Sequence, residues 1–419
     1  MCQFANCPLD PPWGVFCFIL CSSTRNALTI TLRPHQQRAL DAMTKHNRGQ
    51  IIFPTGAGKT LVGIMDAKRM LNSKSPRTLV VVAPRILLAD QLCSEYLEHI
   101  TNANVLHCHS GSTKHFSTTK SDRIKLFVDM CHHVGEHVII FTTYNSLPKV
   151  MDSGIAVDSI YFDEAHNSVK RNFFPSTEYF SGHADRCYFF TATRKTSVTI
   201  KKPGMNDADV YGNIICHISA PELVEGGFIL PPKVQVINMD KVDRKSITPH
   251  LESNNILSTL DEIEKKKVLV CAKTTKQLIT LFQTDFALEL AKRGYSYLYI
   301  TSKTGAIIDG KKVSREEFFN TLNAWGRQSD KKFVCLHRSI LSEGISINQL
   351  DGVIFMRNMD TIEMTQSIGR VLRTHPEKTF GLVCVPVYSQ VGVSTARALQ
   401  NVIDVVFEKG EILDSVVRR

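Results

Sequence analysis

Two tandem α/β domains, each a mostly parallel sheet with helices on both faces, are predicted by three features of this 419-residue sequence. Short, wholly apolar runs alternate with longer amphipathic stretches from residue 29 onward. The alternation breaks once at a Gly- and Pro-bearing tract, and then restarts. Strands that are apolar on both sides need cover on both faces, which helical crossovers supply in a parallel sheet. A chain of this length also exceeds one ordinary core, so two domains of roughly 150 to 200 residues are expected.

In chain order, residues 1–28 fit neither series and read as an N-terminal extension. The first domain, 29–222, carries "GQIIFP", "TLVVVAP", "HVIIFTT", "SIYFDEAH" and "CYFFTAT" as strands, with "KTLVGIMDAKRML" and "ILLADQLCSEYLEHI" as helices between them. The tract "SAPELVEGGFILPPK" at 219–233 reads as the connector. The second domain, 223–419, carries "VQVINM", "KVLVCAK", "YSYLYITS", "KFVCLHRS", "GVIFMRN" and "FGLVCVPVY" as strands. Within it, "ITSKTGAIIDGKKVSREEF" is read as a loop without a role, a hairpin or strand-separating pin turning at Asp309-Gly310 being the alternative.

Composition bounds the class. A hydrophobic share of 43% with 21% charged residues excludes disorder. Fifty basic against forty acidic residues give +10, which favours a polyanionic partner, although a generally basic solvated surface has the same balance. The twelve cysteines are scattered, as in a reducing compartment. Cys2, Cys7, Cys17 and Cys21 crowd the start at spacings that fit no usual zinc pattern. A second group, His107, Cys108, His109, Cys131, His132 and His133, reads as strand-end and helix-face residues rather than metal ligands. The stretch "WGVFCFIL" has no basic residue before it and is too short for a span, so a soluble intracellular protein without a membrane partner is expected.

The chemistry concentrates in three tracts. "FPTGAGKT", residues 53–60, follows a strand and opens a helix. Glycines at 56 and 58 let backbone N–H groups curl around a phosphate, and the helix start adds its positive end. Lys59 would reach the β- and γ-phosphates of ATP and the Thr60 hydroxyl would hold Mg²⁺, although Phe53 stands where the strict pattern has glycine. "SIYFDEAH" ends an apolar strand in Asp163 and Glu164, two carboxylates that desolvation makes repel. A divalent metal resolves the repulsion: Asp163 faces Mg²⁺, and Glu164 orients and deprotonates the attacking water. "QSIGRVLR", residues 366–373, puts Arg370 and Arg373 at i, i+3 on one helical face, to reach the transferring phosphoryl from the far side of a cleft; a solvated basic helix is the alternative.

In order and spacing, "LRPHQQRAL", "PTGAGKT", "VVAPRILLADQ", "TTYNSL", "DEAH", "TAT", "ILSEGISI" and "QSIGRVLR" resemble the motifs of superfamily 2 helicases and translocases, over roughly residues 29–400. The match looks closest to the branch of type III restriction ATPase subunits and related DEAH-bearing proteins, including those of phages and large DNA viruses. The resemblance implies two RecA-like domains with an ATP·Mg²⁺ site in their cleft, the phosphate cradle running through Thr55, Gly56, Ala57, Gly58, Lys59 and Thr60. It further implies that Arg33 and Gln36 read the adenine, that His166, Thr191 and Thr193 link nucleotide state to grip, and that Glu343 and Gly344 touch both nucleotide and strand. Gln366 resembles the γ-phosphate sensor, and Pro84, Arg85 and Thr143 resemble contacts to a sugar-phosphate backbone. Ser346 stands where many relatives carry Asp, which puts a ribose contact there in doubt.

The resemblance implies an ATP-dependent helicase or translocase, with DNA favoured because the Gln-Gly-Arg-Arg form of the last motif differs from the His-Arg pattern of many RNA-remodelling relatives. A double-stranded DNA translocase without unwinding and an RNA helicase remain open. A restriction-type subunit would need a nuclease; "DEIEKKK" at 261–267 resembles one only superficially, and little sequence follows the last motif. A nucleotide-regulated binding module without turnover would not need Lys59, Asp163, Glu164 and Arg370 together.

Overall fold

The computed structural model describes residues 31–417 except 112, 200, 273, 302, 339–348, 358 and 377. The N-terminal extension, its cysteines, and Glu343, Gly344 and Ser346 therefore lie outside the described residues.

The first sheet takes β1 (Arg48–Ile52), β2 (Thr78–Ala83), β3 (Ala103–Cys108), β4 (Phe116–Ser117), β5 (His137–Thr143), β6 (Ser159–Phe162), β7 (Arg186–Thr191) and, past the short β8 (Lys195–Thr196), β9 (Ile214–His217). Its order is β4-β3-β5-β2-β6-β7-β1-β9, every pairing parallel. Every residue of β2, β5 and β6 is buried, which is why these segments read as unbroken apolar runs. Alternate side chains feed opposite faces: Val81, Ile139 and Tyr161 join one apolar cluster, and Val80, Ile140 and Ile160 another.

The second sheet takes β10 (Pro232–Asn238), β11 (Lys267–Cys271), β12 (Ser296–Thr301), β13 (Gly305–Ile308), β14 (Lys311–Val313), β15 (Phe333–His337), β16 (Gly352–Phe355) and β17 (Gly381–Val387). Its order is β10-β17-β16-β11-β15-β12-β13-β14, parallel apart from the two pairings that β13 makes. The loop reading of residues 300–318 is thereby corrected. Asp309 and Gly310 take φ of 43° and 81°, the positive pair that a two-residue hairpin turn requires, and the hairpin extends the sheet. The sheets are two mostly parallel, helix-flanked layers, the tandem RecA-like α/β architecture.

Two ties fix the parts of the first sheet that carry chemistry. Asp66, on the helix Lys59–Met70 and fully buried, accepts from Tyr161 Oη at 2.6 Å and Arg186 Nη2 at 2.9 Å and pairs with Arg69. Removing one member of such a network strands the others without partners, at a cost of ~3–5 kcal/mol. The chain end supplies the second tie. β18 (Ser415–Val416) pairs in parallel with β8, and Arg194 donates to the Asp414 carboxylate at 3.0 and 2.6 Å, so the segment after the second sheet returns to the first. Among the described residues, no helix is long and apolar enough to cross a membrane.

Candidate active site

The phosphate loop leaves β1 at Phe53 and enters the helix Lys59–Met70. Gly56 and Gly58 hold φ of 92° and 82°, the left-handed region that β-carbons disfavour, and the Ala57 N–H donates to the Pro54 carbonyl at 3.2 Å, so the loop curls tightly. Lys59 Nζ donates to the Phe53 carbonyl at 3.4 Å. Two residues of the helix Pro34–Lys45 brace the loop from behind: His35 Nε2 meets the Ala57 carbonyl at 2.9 Å, and Gln36 Nε2 donates to the Ala57 and Gly58 carbonyls at 3.4 Å each. His35 is a site residue that sequence reasoning missed; its ring also packs on Phe53 and Phe228, at 5.9 and 4.9 Å.

At the end of β6, the Asp163 N–H donates to the Val82 carbonyl and the Tyr144 hydroxyl donates to the Asp163 carbonyl, both at 2.9 Å. Burial, and then the adjacent Glu164, raise the Asp163 pKa, against the pull of Lys59. Glu164 sits in the left-handed region at φ 45°, ψ 54°, with Oε2 buried and, among the described residues, without a hydrogen-bond partner. Thr55 Oγ1 is in the same condition on the facing loop. A curled backbone, a carboxylate destabilised in its charged form and the unsatisfied oxygens of Glu164 and Thr55 fit a phosphate-bound divalent cation, which Thr60 and Asp163 would hold. That ion, when bound, neutralises phosphate charge.

The sign of the Asp163 shift gives a test. Its folded pKa lies above the unfolded value, so stability falls as pH rises from the unfolded carboxylate range through the folded pKa, and the full penalty stands above it. Asp163→Asn is therefore expected to raise the melting temperature of the nucleotide-free protein at neutral pH, by ~1 kcal/mol or more of stability, while abolishing Mg²⁺-dependent turnover. Thermal melts from pH 5 to 8 should show the gap between variant and wild type widening with pH.

Behind Glu164, His166 Nδ1 lies 3.1 Å from Thr191 Oγ1 and 3.5 Å from Glu164 Oε2. Thr191 Oγ1 also donates to the Thr193 carbonyl at 2.9 Å. Burial lowers the His166 pKa to about 4, so the ring is neutral at physiological pH. The three residues singled out for coupling thus form one buried chain.

The second sheet reaches this site through the helix Thr361–Val371. Arg370 is 3% exposed, which excludes the solvated-helix alternative for it. Burial and then Arg373 lower its pKa to about 10, while Glu164, across the junction, pulls the other way. Arg373 requires a correction: the helix ends at Val371, so Arg373 lies in the turn beyond it and not on one helical face with Arg370. The turn is set by Leu372, whose carbonyl accepts from the Leu230 N–H at 2.7 Å. Gln366 is buried on the same helix. Gly369 faces the phosphate loop so closely that an added Cβ would collide with the Thr55 side chain. Gly369→Ala is expected to push helix and loop apart and lower turnover by about 10²-fold with little change in melting temperature, since misplacements of ~1 Å carry that kinetic cost.

Two family models match the sequence: Type III restriction enzyme, res subunit, over residues 29–196, and Helicase conserved C-terminal domain, over residues 252–375. The chain belongs to the superfamily 2 helicases, in their type III restriction-like branch. No curated protein matches this chain in sequence. Its fold is similar to that of the ATP-dependent Type ISP restriction-modification enzyme LlaBIII bound to DNA, with a TM-score of 0.72 and 16% identity over 93% of this chain and 31% of that one. It is also similar to a nuclease-deletion mutant of the Type ISP enzyme LlaGI in complex with a DNA substrate mimic, at 0.65 and 18% over 89% and 28%. Mss116p bound to ssRNA and AMP-PNP gives 0.58 and 14% over 92% and 74%. This chain thus spans less than a third of either restriction-modification enzyme.

The remaining sequence-derived residues scatter more. Arg33 is exposed and lies in no regular element. Pro84 and Arg85 stand at the start of the helix Ile86–Leu97, Arg85 exposed at its N-cap. Thr143 is buried and donates to Ser146 Oγ at 3.3 Å, so it holds the turn after β5, and the exposed side chain there is Asn145. The second Cys/His group does not assemble as a unit: Cys108 and Cys131 join the apolar cluster behind the sheet, and His132 Nε2 lies 3.1 Å from Thr78 Oγ1. In "DEIEKKK", Asp261 accepts from Arg293 at 2.8 Å and Lys267 Nζ donates to the Gly326 carbonyl at 2.6 Å, a structural arrangement.

Proposed function

We propose that the helicase hydrolyses ATP·Mg²⁺ in this cleft and uses the resulting opening and closing to move along a nucleic-acid strand, DNA in preference to RNA. The observation that carries the proposal is the seating of the helix Thr361–Val371 on the phosphate loop: Gly369 packs against Thr55, and the next residue, Arg370, is a buried guanidinium supplied by the second domain. Such a contact makes turnover conditional on how the two sheets meet. Lys59 binds the phosphates, Thr60 and Asp163 hold the cation, and Glu164 takes the proton from the attacking water. Arg370 and Arg373 stabilise the transferring phosphoryl, with Gln366 beside it and Arg33 and Gln36 at the adenine. His166, Thr191 and Thr193 relay closure to the strand, which runs past Pro84, Arg85 and the Thr143 turn. The contacts are to sugar and phosphate, so binding is sequence-tolerant and salt-dependent.

DNA is favoured by the restriction-type family model and by the Gln366-Gly369-Arg370-Arg373 form of the last motif. Translocation on duplex DNA without unwinding is the second reading, favoured by the likeness to Type ISP enzymes. A forked duplex and a triplex on one blunt duplex separate the two: fork opening with ATP supports the helicase, and third-strand displacement without fork opening supports the duplex translocase. Neither product, with ATP consumed, contradicts movement.

A further inference from the structure

Three side chains that the nucleotide cycle does not use converge on the first sheet. Asp90 lies on the helix Ile86–Leu97, His107 in β3 and His109 just beyond it. Asp90 Oδ1 is 3.4 Å from His107 Nδ1 and 3.3 Å from His109 Nε2, and those two nitrogens are 2.9 Å apart. Both imidazoles are almost fully buried, at 1% and 2% exposure.

Hydrogen bonding alone leaves this cluster unsatisfied. The Gly111 N–H donates to His109 Nδ1 at 3.2 Å, so this ring carries its own proton on Nε2. The short contact to His107 Nδ1 uses that proton, because two donors would not approach so closely. Asp90 Oδ1 is then left buried without a hydrogen-bond partner, as is His107 Nε2 on the outer side of its ring. A buried oxygen in that state is destabilising, the more so when charged. One cation in the middle would satisfy all three inward atoms.

The spacing suits such an ion. With metal–ligand bonds of about 2.0–2.2 Å, zinc ligands stand about 2.9 Å apart at a right angle and about 3.3 Å apart at the tetrahedral angle. The three edges here are 2.9, 3.3 and 3.4 Å. Two imidazoles with one carboxylate favour zinc or a neighbouring first-row ion over Mg²⁺ or Ca²⁺, which prefer all-oxygen cages.

We propose that Asp90, His107 and His109 form a binding site for a zinc-class divalent cation, separate from the nucleotide's magnesium. A water or His115, whose ring stacks on His107 at 5.7 Å, completes the coordination. Loading moves the His109 proton from Nε2 to Nδ1, so the Gly111 N–H must turn away. The site then fastens the turn after β3 to the helix that begins beside Arg85, a structural role next to the proposed strand path.

The test uses the full chain, stripped with a chelator, loaded with excess Zn²⁺ or Co²⁺ and desalted. Wild type is expected to keep about one equivalent more than Asp90→Asn or His109→Ala, and its Co²⁺ form to show the visible bands of a tetrahedral site that both variants lack. Asp90 is a third exposed, so the amide should fold normally, and its metal-free melting temperature checks this. Zn²⁺ should raise the melting temperature of wild type and not that of Asp90→Asn. No retained metal in wild type, or equal metal in wild type and a normally melting Asp90→Asn, overturns the assignment; the latter would point to the N-terminal cysteines.

Discussion

Glu164→Gln is expected to bind ATP and Mg²⁺ as wild type does and to lose turnover by about 10³-fold or more, on the scale of removing a positioned base together with its charge. The amide keeps the shape of the side chain and cannot accept the proton. Glu164 suits this role because the left-handed backbone at φ 45° turns its side chain out of the strand, and its Oε2 has no protein donor to satisfy it. His166, neutral at physiological pH and 3.5 Å away, does not neutralise it as a fixed cation would. Nucleotide binding by fluorescence and phosphate release on the same preparation provide the check. Wild-type turnover in the variant would remove Glu164 from water activation.

Arg370→Ala is expected to leave ATP binding within a few-fold of wild type and to lower strand-stimulated turnover by about 10³-fold, the usual scale for an arginine finger. Binding survives because the phosphate loop lies wholly in the first sheet. Stimulation does not, because Arg370 is the buried cation that the second sheet brings toward Glu164. Strand affinity without nucleotide should hardly change, since backbone phosphate contacts elsewhere supply it. Arg370→Lys keeps the charge and loses the planar fork, so it should rescue only a small part of the rate. An unaltered stimulated rate in Arg370→Ala, with a normal melting temperature, would contradict the assignment.

The parts of the fold legible in the sequence are those where burial on both faces forces an unbroken apolar run, as in β2, β5 and β6. β3 was not legible, because "ANVLHC" mixes polar residues into a strand whose His107 serves a local cluster. β9 and β18 were missed for a different reason: a short strand at a sheet edge, or one of two residues, has too few side chains to show a period. The Asp309-Gly310 hairpin was visible as a turn, but its flanking strands were too short, and the second too basic, to claim a place in a sheet. The phosphate loop and the acidic strand end were legible because their chemistry is contiguous in sequence. Arg373 was put on the wrong element because the helix stops at Val371, and the tertiary bond from the Leu230 N–H to the Leu372 carbonyl in the turn beyond it leaves no local mark in the sequence. Asp90 was invisible for the same class of reason: 17 residues separate it from His107, and only the packing of a helix against β3 brings them together.

The return of β18 to β8 bears on coupling. It joins the chain beyond the second sheet to the residue after Thr193, at the end of the buried His166-Thr191-Thr193 chain. Under the proposed cycle, a tie at that point would let closure of the cleft reach Thr193 from both sides.

The central claim, that ATP hydrolysis in this cleft is driven by a nucleic-acid strand, is tested most directly by steady-state phosphate release from the full chain with no nucleic acid, single-stranded DNA, duplex DNA and RNA, each at matched nucleotide concentration and salt. The account predicts slow release alone and a rise of at least about tenfold with DNA, larger than with RNA and shrinking as salt increases. An ATPase rate unaffected by every strand, or no ATP hydrolysis at all, would contradict it.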